Sequence, residues 1–257
     1  AMFSKYDGEF LGARVAGGRG SDKGYGVTVD CCDKPNKKVY VTGVFEGTAT
    51  FGKEEHGESA ARAETLVSEG NSQEDIFVAA WMVKGGAFRW AVRAGGSKFE
   101  EGKSIAVSEH GLVVAGFISG RGSNINFNDE EDLVVPGGTE EKFIVMKLDC
   151  WNGDLIWYSV GEGSTGSSKA NDVDIDHGYV FFTGYYEGDT IFDAGGKREL
   201  VTGFAESDIF VSVISLCGEE CKCEAPEECV NCYKHAPQYY YQQSYAPYQY
   251  QGQPYYY

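Results

Sequence analysis

The residues with the most capacity for chemistry are the eight cysteines, and they are unevenly placed. Cys31 and Cys32 are adjacent, Cys150 stands alone, and five more lie close together: Cys217, Cys221, Cys223, Cys229 and Cys232. An even total in an acidic chain favours disulfide bonds and an oxidising compartment. Because five is odd, at least one clustered cysteine must pair elsewhere or stay free, and Cys150 is the obvious candidate partner. Cys31 and Cys32 either bridge each other or take different partners.

A zinc site is the competing interpretation of the cysteine cluster. Cys229 and Cys232 form a CxxC pair, and Cys221 and Cys223 precede it closely. Zinc ribbons separate two CxxC pairs by roughly 15–20 residues, which is wider than the spacing found here. We therefore predict a disulfide-stapled cap over residues 217–234 and no metal or other cofactor.

Two acidic segments are weak candidates for calcium binding. Asp172, Asp174 and Asp176 alternate, so they would lie on one face of a strand, and residues 128–132 form an acidic run. Neither segment has the glycine and distal glutamate of an EF-hand loop. Solvated acidic surface is the favoured interpretation of both.

No catalytic motif stands out along the chain. His110 and His177 each precede a glycine and are predicted to lie in turns; the other histidines are His56 and His235. Residues 161–166 match GxGxxG, but the βαβ context that dinucleotide binding requires is missing. There is no GxSxG or HExxH motif. We therefore expect no enzymatic activity.

The elements that must position these residues recur with a regular period. Val39–Thr48 and Asp75–Val78 return as Leu112–Gly116 and Phe143–Lys147, and again as Phe182–Gly188 and Asp208–Val211. Aligning Phe77, Phe143 and Phe210 gives spacings of 66 and 67 residues. Such a period indicates a repeat architecture. Apolar residues at every second position predict four strands per unit, represented in the second unit by 104–108, 112–117, 143–148 and 155–160, with an excursion between the second and third.

The repeated pattern resembles that of a known family. Tyr-Val-Thr-Gly-x-Phe-x-Gly-Thr, then Asp-Ile-Phe-Val, then Trp-Ala and Gly-Gly, is similar to the SBBP-type repeat of secreted, seven-bladed β-propellers, over about residues 2–216. The resemblance implies an all-β, propeller-like array of about three four-stranded units on a secreted or cell-surface protein. It implies no particular activity, because a fold does not fix a function.

The two ends of the array depart from that family pattern. Residues 1–18 resemble the last two strands of a blade that lacks its first two, and the third unit lacks a Trp-containing final strand. We place the three units at about 19–96, 97–163 and 164–216. The N-terminal strands either complete the third unit within one chain or complete a neighbouring subunit, because an uncovered strand edge can pair with another chain.

The tail over residues 235–257 contains nine tyrosines, three prolines and no charged Asp, Glu, Lys or Arg. Such composition favours an extended backbone, and tyrosine rings are effective at interfaces between subunits. We therefore predict head-to-tail self-assembly into an extracellular filament or surface appendage. The predicted assembly residues are Met2, Phe3, Tyr6, Phe10, Leu11, Tyr239, Tyr240, Tyr241, Tyr245, Tyr248, Tyr250, Tyr255, Tyr256 and Tyr257. The alternative is a tail that packs on its own repeats.

The overall composition argues against several classes of binding partner. The net charge of −17 disfavours nucleic acid and anionic membranes. No apolar run approaches the roughly 20 residues of a membrane-spanning helix, and no signal peptide is recognisable. The alternative function is a secreted binding module for glycans, with Trp81 and Trp151 as candidate surface residues. Trp90 and Trp157 hold equivalent repeat positions and are predicted to lie in the core.

Overall fold

Antiparallel β-sheets make up the structure, and the part of the chain that it describes contains no helix. The computed structural model describes residues 1–30, 37–52, 63–69, 73–119, 125–128, 131–133, 140–194, 197–203, 206–216 and 242–244. The prediction of an all-β chain is confirmed. The strands form where apolar residues alternate with polar ones, as they do along a half-buried pleated surface.

The strands are as follows in chain order. The N-terminal segment contains β1 (Met2–Phe3), β2 (Phe10–Gly12) and β3 (Gly17–Gly18). The first unit contains β4 (Lys23–Val29), β5 (Lys38–Glu46), β6 (Thr48–Phe51), β7 (Glu64–Val67), β8 (Glu74–Met82) and β9 (Phe88–Gly95). The second contains β10 (Glu100–Ser108), β11 (Gly111–Ser119), β12 (Ile125–Phe127), β13 (Glu131–Leu133), β14 (Glu141–Leu148) and β15 (Leu155–Val160). The third contains β16 (Glu162–Thr165), β17 (Ser168–Asp176), β18 (Tyr179–Tyr186), β19 (Asp189–Ala194), β20 (Lys197–Thr202) and β21 (Asp208–Ser215), and β22 (Gln242–Ser244) lies in the tail.

Four neighbouring strands form an antiparallel sheet in each of the first two units, in the order β4-β5-β8-β9 and β10-β11-β14-β15. In the third unit β17, β18 and β21 are joined by β22 of the tail. The excursion between the second and third strands is a hairpin in each unit: β6–β7, β12–β13 and β19–β20. These hairpins pair with β3, β9 and β16, which lie in the chain segment before each unit's first strand. Through β9 and β12, the first two units are therefore joined by backbone pairing as well as by side chains.

A glycine in each second strand fixes the register of the repeat. Gly43, Gly116 and Gly184 lie opposite Phe77, Ile144 and Phe210 of the third strand. A side chain at any of these glycines would collide with a carbonyl oxygen of the first strand, where all three units have a bulge. The alignment of Phe143 with Phe77 and Phe210 is therefore wrong by one residue, because Ile144 is their equivalent.

That correction moves Phe143 to the other face of its sheet, since successive side chains of a strand point to opposite faces. Phe143 is equivalent to Ile76 and Ile209, and Val145 is equivalent to Val78 and Val211. The phenylalanine pattern was misleading because the second unit carries its phenylalanine one position before that of the other two units.

Two hydrophobic cores lie between successive sheets. The first joins Tyr40, Val78 and Trp90 of the first unit to Leu112 and Met146 of the second. The second joins the second and third units through residues that include Phe143, Val145, Trp157, Phe182 and Phe210. The prediction that Trp90 and Trp157 are core residues is confirmed. A third cluster, with Phe51, Phe77 and Trp81, lies on the outer side of the first sheet.

Candidate assembly surfaces

The outer side of the third sheet exposes apolar side chains at positions that the other units bury. Ile209 is 80% exposed, whereas its equivalents Ile76 and Phe143 are both 0% exposed. Val211 is 49% exposed, whereas Val145 is 0% exposed. Phe181 and Tyr179 of β18 lie on the same side and are also exposed. We call Tyr179, Phe181, Ile209 and Val211 the leading face, since the equivalent residues of the first two units face the next unit.

The outer side of the first sheet shows the complementary exposure. Val27 of β4 is 68% exposed, whereas its equivalents Ile105 and Val173 are each 6% exposed and pack against the preceding unit. Val29 is likewise exposed. We call Val27 and Val29 the trailing face. The molecule therefore presents the two halves of one inter-unit contact at its opposite ends.

The N-terminal hairpin has the geometry of the third and fourth strands of a unit. Met2 pairs with Gly12 and Phe3 with Phe10, with a register shift between Met2 and Phe3. The third and fourth strands of the first two units have their register shift in the same place, before Trp81 and Leu148. Residues 2–12 thus correspond to the end of a unit that would precede the first.

The turns support this correspondence. Gly8 has a φ of +74°, and Gly86 and Gly153, at the same place in the first two units, have φ values of +68° and +86°. Left-handed backbone of this kind favours glycine. In each case the fourth strand begins two residues later, at Phe10, Phe88 or Leu155.

The hairpin leaves a cavity above the first sheet. The Arg14 side chain donates hydrogen bonds to the carbonyl oxygens of Gly85 (2.7 Å) and Gly86 (3.1 Å), which joins the segment to the β8–β9 turn. Beneath it lies an apolar cavity of about 340 Å³ lined by residues that include Met2, Val27 and Val41. The cavity lies over Val27, on the side of the sheet through which the second and third units pack against the unit before them.

The fourth position of the third sheet is occupied only in part. β22 pairs with Ser212, Val213 and Ile214 of the eight-residue strand β21. In the first unit, pairing to the fourth strand extends from Ile76 to Trp81. No strand in the described part of the chain pairs with residues 209–211 on this edge. The N-terminal strands β1 and β2 form a separate two-stranded sheet, and neither pairs with a strand of the third unit.

The predicted assembly residues at the N-terminus are accessible in part. Phe3, Tyr6, Phe10 and Leu11 are exposed, and the Phe3 and Phe10 rings meet edge to face at 5.6 Å. Met2 is half-buried. The nine predicted tyrosines of the tail, Tyr239, Tyr240, Tyr241, Tyr245, Tyr248, Tyr250, Tyr255, Tyr256 and Tyr257, lie outside the described residues.

Cys150 is a free thiol, so the bridge predicted from it to the cysteine cluster is not present. It packs against the first core, and burial raises the pKa of the thiol to about 12. Its backbone carbonyl accepts a hydrogen bond from the Tyr40 hydroxyl at 3.1 Å. A thiol of this kind is protonated and unreactive at neutral pH. The other predicted disulfide cysteines, Cys31, Cys32, Cys217, Cys221, Cys223, Cys229 and Cys232, lie outside the described residues.

The two tryptophans proposed as surface residues differ. Trp81 is buried in the cluster on the outer side of the first sheet, so its prediction as a surface residue is wrong. Its place in the repeat explains this, because it is equivalent to Leu148 and Ile214. Trp151 is exposed, and the Lys38 ammonium lies 4.7 Å from its ring centroid. The turn positions predicted for His110 and His177 are confirmed, and His177 has a φ of +46°.

Buried ionisable side chains lie at the junction of the first two units. The Arg93 guanidinium donates to Asp75 at 2.8 Å, and the Gly96 amide donates to the Glu100 carboxylate at 3.1 Å. Burial raises the pKa of Asp75 to about 6 and that of Glu100 to about 8. One oxygen of each carboxylate has no hydrogen-bond partner in the described part of the structure. At neutral pH, Glu100 is therefore mostly protonated.

The exposed leading and trailing faces were not predicted from the sequence, although the repeat pattern indicates them. Ile209, Val211 and Val27 occupy the same repeat positions as core residues, but no neighbouring sheet covers them among the described residues. An alignment anchored on the glycines, rather than on the phenylalanines, would have identified these exposed positions.

In comparisons with known proteins, no protein family, curated protein or solved structure matches the chain. Among the described residues, no helix is long and apolar enough to cross a membrane. The same residues include no group of three or more His, Cys, Asp or Glu side chains suited to a metal ion, the Asp172, Asp174 and Asp176 series included.

Proposed function

We propose that the protein is an extracellular structural subunit whose copies join head to tail into a filament or surface appendage. In this proposal its three units form a β-propeller-like array with incomplete terminal blades. The observation that carries the proposal is the matched exposure of the leading and trailing faces, whose equivalents are buried between units. Its acidic composition and the resemblance of its repeats to those of secreted proteins support the extracellular location.

The contact within the chain supplies the geometry of the contact between chains. Val173 of the third unit packs in the same core as Phe143 and Val145 of the second. By repeat equivalence, Val27 of one copy would pack against Ile209 and Val211 of another. Burying each of these side chains contributes about 1.5–3 kcal/mol.

A contact of this type joins two different surfaces and is heterologous. Such contacts produce a closed ring or an open filament, according to the rotation between successive copies. Strand complementation at the ends, through residues 2–12 of one copy, would add backbone hydrogen bonds to the side-chain contact.

The test places a hydroxyl on the leading face. We expect Ile209→Ser to remove large species from sedimentation velocity profiles and filaments from electron micrographs, because a polar group would be buried at the joint. Val67→Ser is the matched control, since Val67 is also exposed but lies on the excursion hairpin of the first unit. Assembly that is equally impaired in both variants, or in neither, would refute the role of the leading face.

A glycan-binding module is the second candidate function, and the exposed Trp151 is the observation that favours it. Aromatic faces can stack on sugar rings, and the Lys38 ammonium lies close to this ring. In that case Trp151→Ala would abolish retention on a glycan array while leaving sedimentation unchanged. If Trp151→Ala has no effect on glycan retention, this alternative is excluded.

A further inference from the structure

We propose that the fourth strand of the third unit is exchangeable, and that β2 of a second copy replaces the tail strand β22 on β21. This inference rests on the proposed head-to-tail assembly and identifies the strand that joins the copies. It assigns the tail a role different from the sequence prediction, because the tail then closes the edge of the free subunit.

Repeat equivalence places β2 on the same residues that the tail occupies. Phe10 corresponds to Phe88 and Leu155, which pair with Trp81 and Leu148. The residue equivalent to Trp81 and Leu148 in the third unit is Ile214. In the structure Ile214 pairs with Gln242 of the tail. The two strands would therefore compete for one short stretch of β21.

The chain segment that follows β2 has the length and the pairing that this placement of β2 on β21 requires. β3 pairs with the excursion hairpin of the first unit, as β16 pairs with that of the third. Gly12 corresponds to Trp90, and Gly24 corresponds to Gly102. Each pair, Gly12 to Gly24 and Trp90 to Gly102, is separated by 12 residues. Residues 10–23 thus have the length that links the fourth strand of one unit to the first strand of the next.

The apolar area that would be buried favours β2 of a second copy over the tail strand β22. The tail strand has the sequence Gln-Gln-Ser, whereas β2 has the sequence Phe-Leu-Gly. Phe10 is mostly exposed in the free subunit, whereas its equivalent Phe88 is buried. Both pairings have few backbone hydrogen bonds, so the apolar area that Phe10 would bury determines the direction of exchange.

The experiment uses a labelled peptide of residues 7–16 and the full-length protein. We expect the peptide to bind and to stop assembly, since it caps β21 without supplying a further unit. The same peptide with Leu11→Pro should not bind, because proline removes a backbone donor and disfavours pairing. Fluorescence anisotropy measures binding, and sedimentation velocity measures assembly.

A full-length variant tests the competition with the tail. Gln243→Pro should weaken β22 pairing and tighten peptide binding by about tenfold, because less of the edge is blocked. Gln249→Pro is the control, since it lies in the tail but outside β22. Equal peptide affinity in both variants, or equal binding of the Leu11→Pro peptide, would overturn the exchange.

Different results would refute the strand exchange and the head-to-tail assembly. If the unmodified protein assembles and the peptide neither binds nor stops it, the joint does not use β2, and docking of the two faces stands alone. If the unmodified protein remains monomeric at every concentration, the proposed function itself is refuted.

Discussion

Phe143 and Ile209 hold the same position in neighbouring units, yet one is buried and the other is exposed. Their strands have the same pairing pattern and the same alternation of side chains. The difference is that Phe143 packs against the sheet of the third unit, whereas no sheet in the described part of the chain follows Ile209. Apolar periodicity therefore specifies which face of a sheet can be buried, whereas the neighbouring sheet determines whether that face is buried.

The largest expected effect compares these two residues by alanine substitution. Phe143 contacts the rings of Phe182, Phe192 and Phe210, with centroids 5.2–5.5 Å away. Phe143→Ala should lower the free energy of unfolding by about 3–5 kcal/mol. Ile209→Ala should change it by less than about 0.5 kcal/mol, because the side chain is exposed. Urea denaturation of the monomer measures both values, and a similar loss in both variants would contradict the comparison.

The next comparison concerns the other side of the joint. Ile105 lies in the first core, whereas its equivalent Val27 lies on the trailing face. Ile105→Ala should cost about 2–5 kcal/mol of stability. Val27→Ala should leave stability within about 0.5 kcal/mol and reduce assembly. Thermal unfolding and sedimentation, measured on the same samples, separate the two effects. Unchanged assembly in Val27→Ala would show that this valine is not part of the joint.

A smaller effect should appear in the pH dependence of the junction between the first two units. Because the folded-state pKa values of Glu100 and Asp75 are raised to about 8 and about 6, the folded protein binds more protons than the unfolded chain. The stabilising contribution of each group is complete below its ordinary pKa and is lost as pH rises to its raised value. Stability should therefore fall between about pH 4 and pH 8.

Glu100→Gln tests the origin of that pH dependence. Glutamine keeps an oxygen that can accept from the Gly96 amide and carries no charge. It should flatten the stability profile between about pH 5 and pH 8, and stabilise the protein at pH 8 by about 1–3 kcal/mol. Urea denaturation at a series of pH values provides the measurement. A profile as steep as that of the unsubstituted protein would assign the pH dependence to other groups.

The smallest expected effect concerns the N-terminal hairpin, which Arg14 joins to the β8–β9 turn. Arg14→Ala removes the hydrogen bonds to Gly85 and Gly86. It should lower global stability by less than about 1 kcal/mol and speed hydrogen exchange in residues 1–16 alone. Arg89→Ala is a control in an exposed position of β9. Hydrogen exchange that is accelerated throughout the first unit would show that the hairpin is an integral part of its core.

Much of the fold could be predicted from the sequence, because each unit repeats the same turns and alternating strands. The all-β class, the approximate positions of the four sheet strands of the second unit and the burial of Trp90 and Trp157 follow from that local pattern, although β10 begins at Glu100 and not at the predicted residue 104. The register of the second unit was predicted wrongly because Phe143 lies one residue before the equivalent of Phe77 and Phe210, and a shift of one residue reverses the faces of a strand. Burial of Glu100 and Asp75 depends on neighbouring segments that no local pattern reveals.

Cryo-electron microscopy of the assembled protein tests the head-to-tail joint most directly. We expect a regular polymer in which Val27 of one copy packs against Ile209 and Val211 of the next, in the arrangement that Val173 adopts against Phe143 and Val145. A polymer in which both the leading and the trailing faces remain exposed to solvent would contradict it, as would isolated subunits at every concentration.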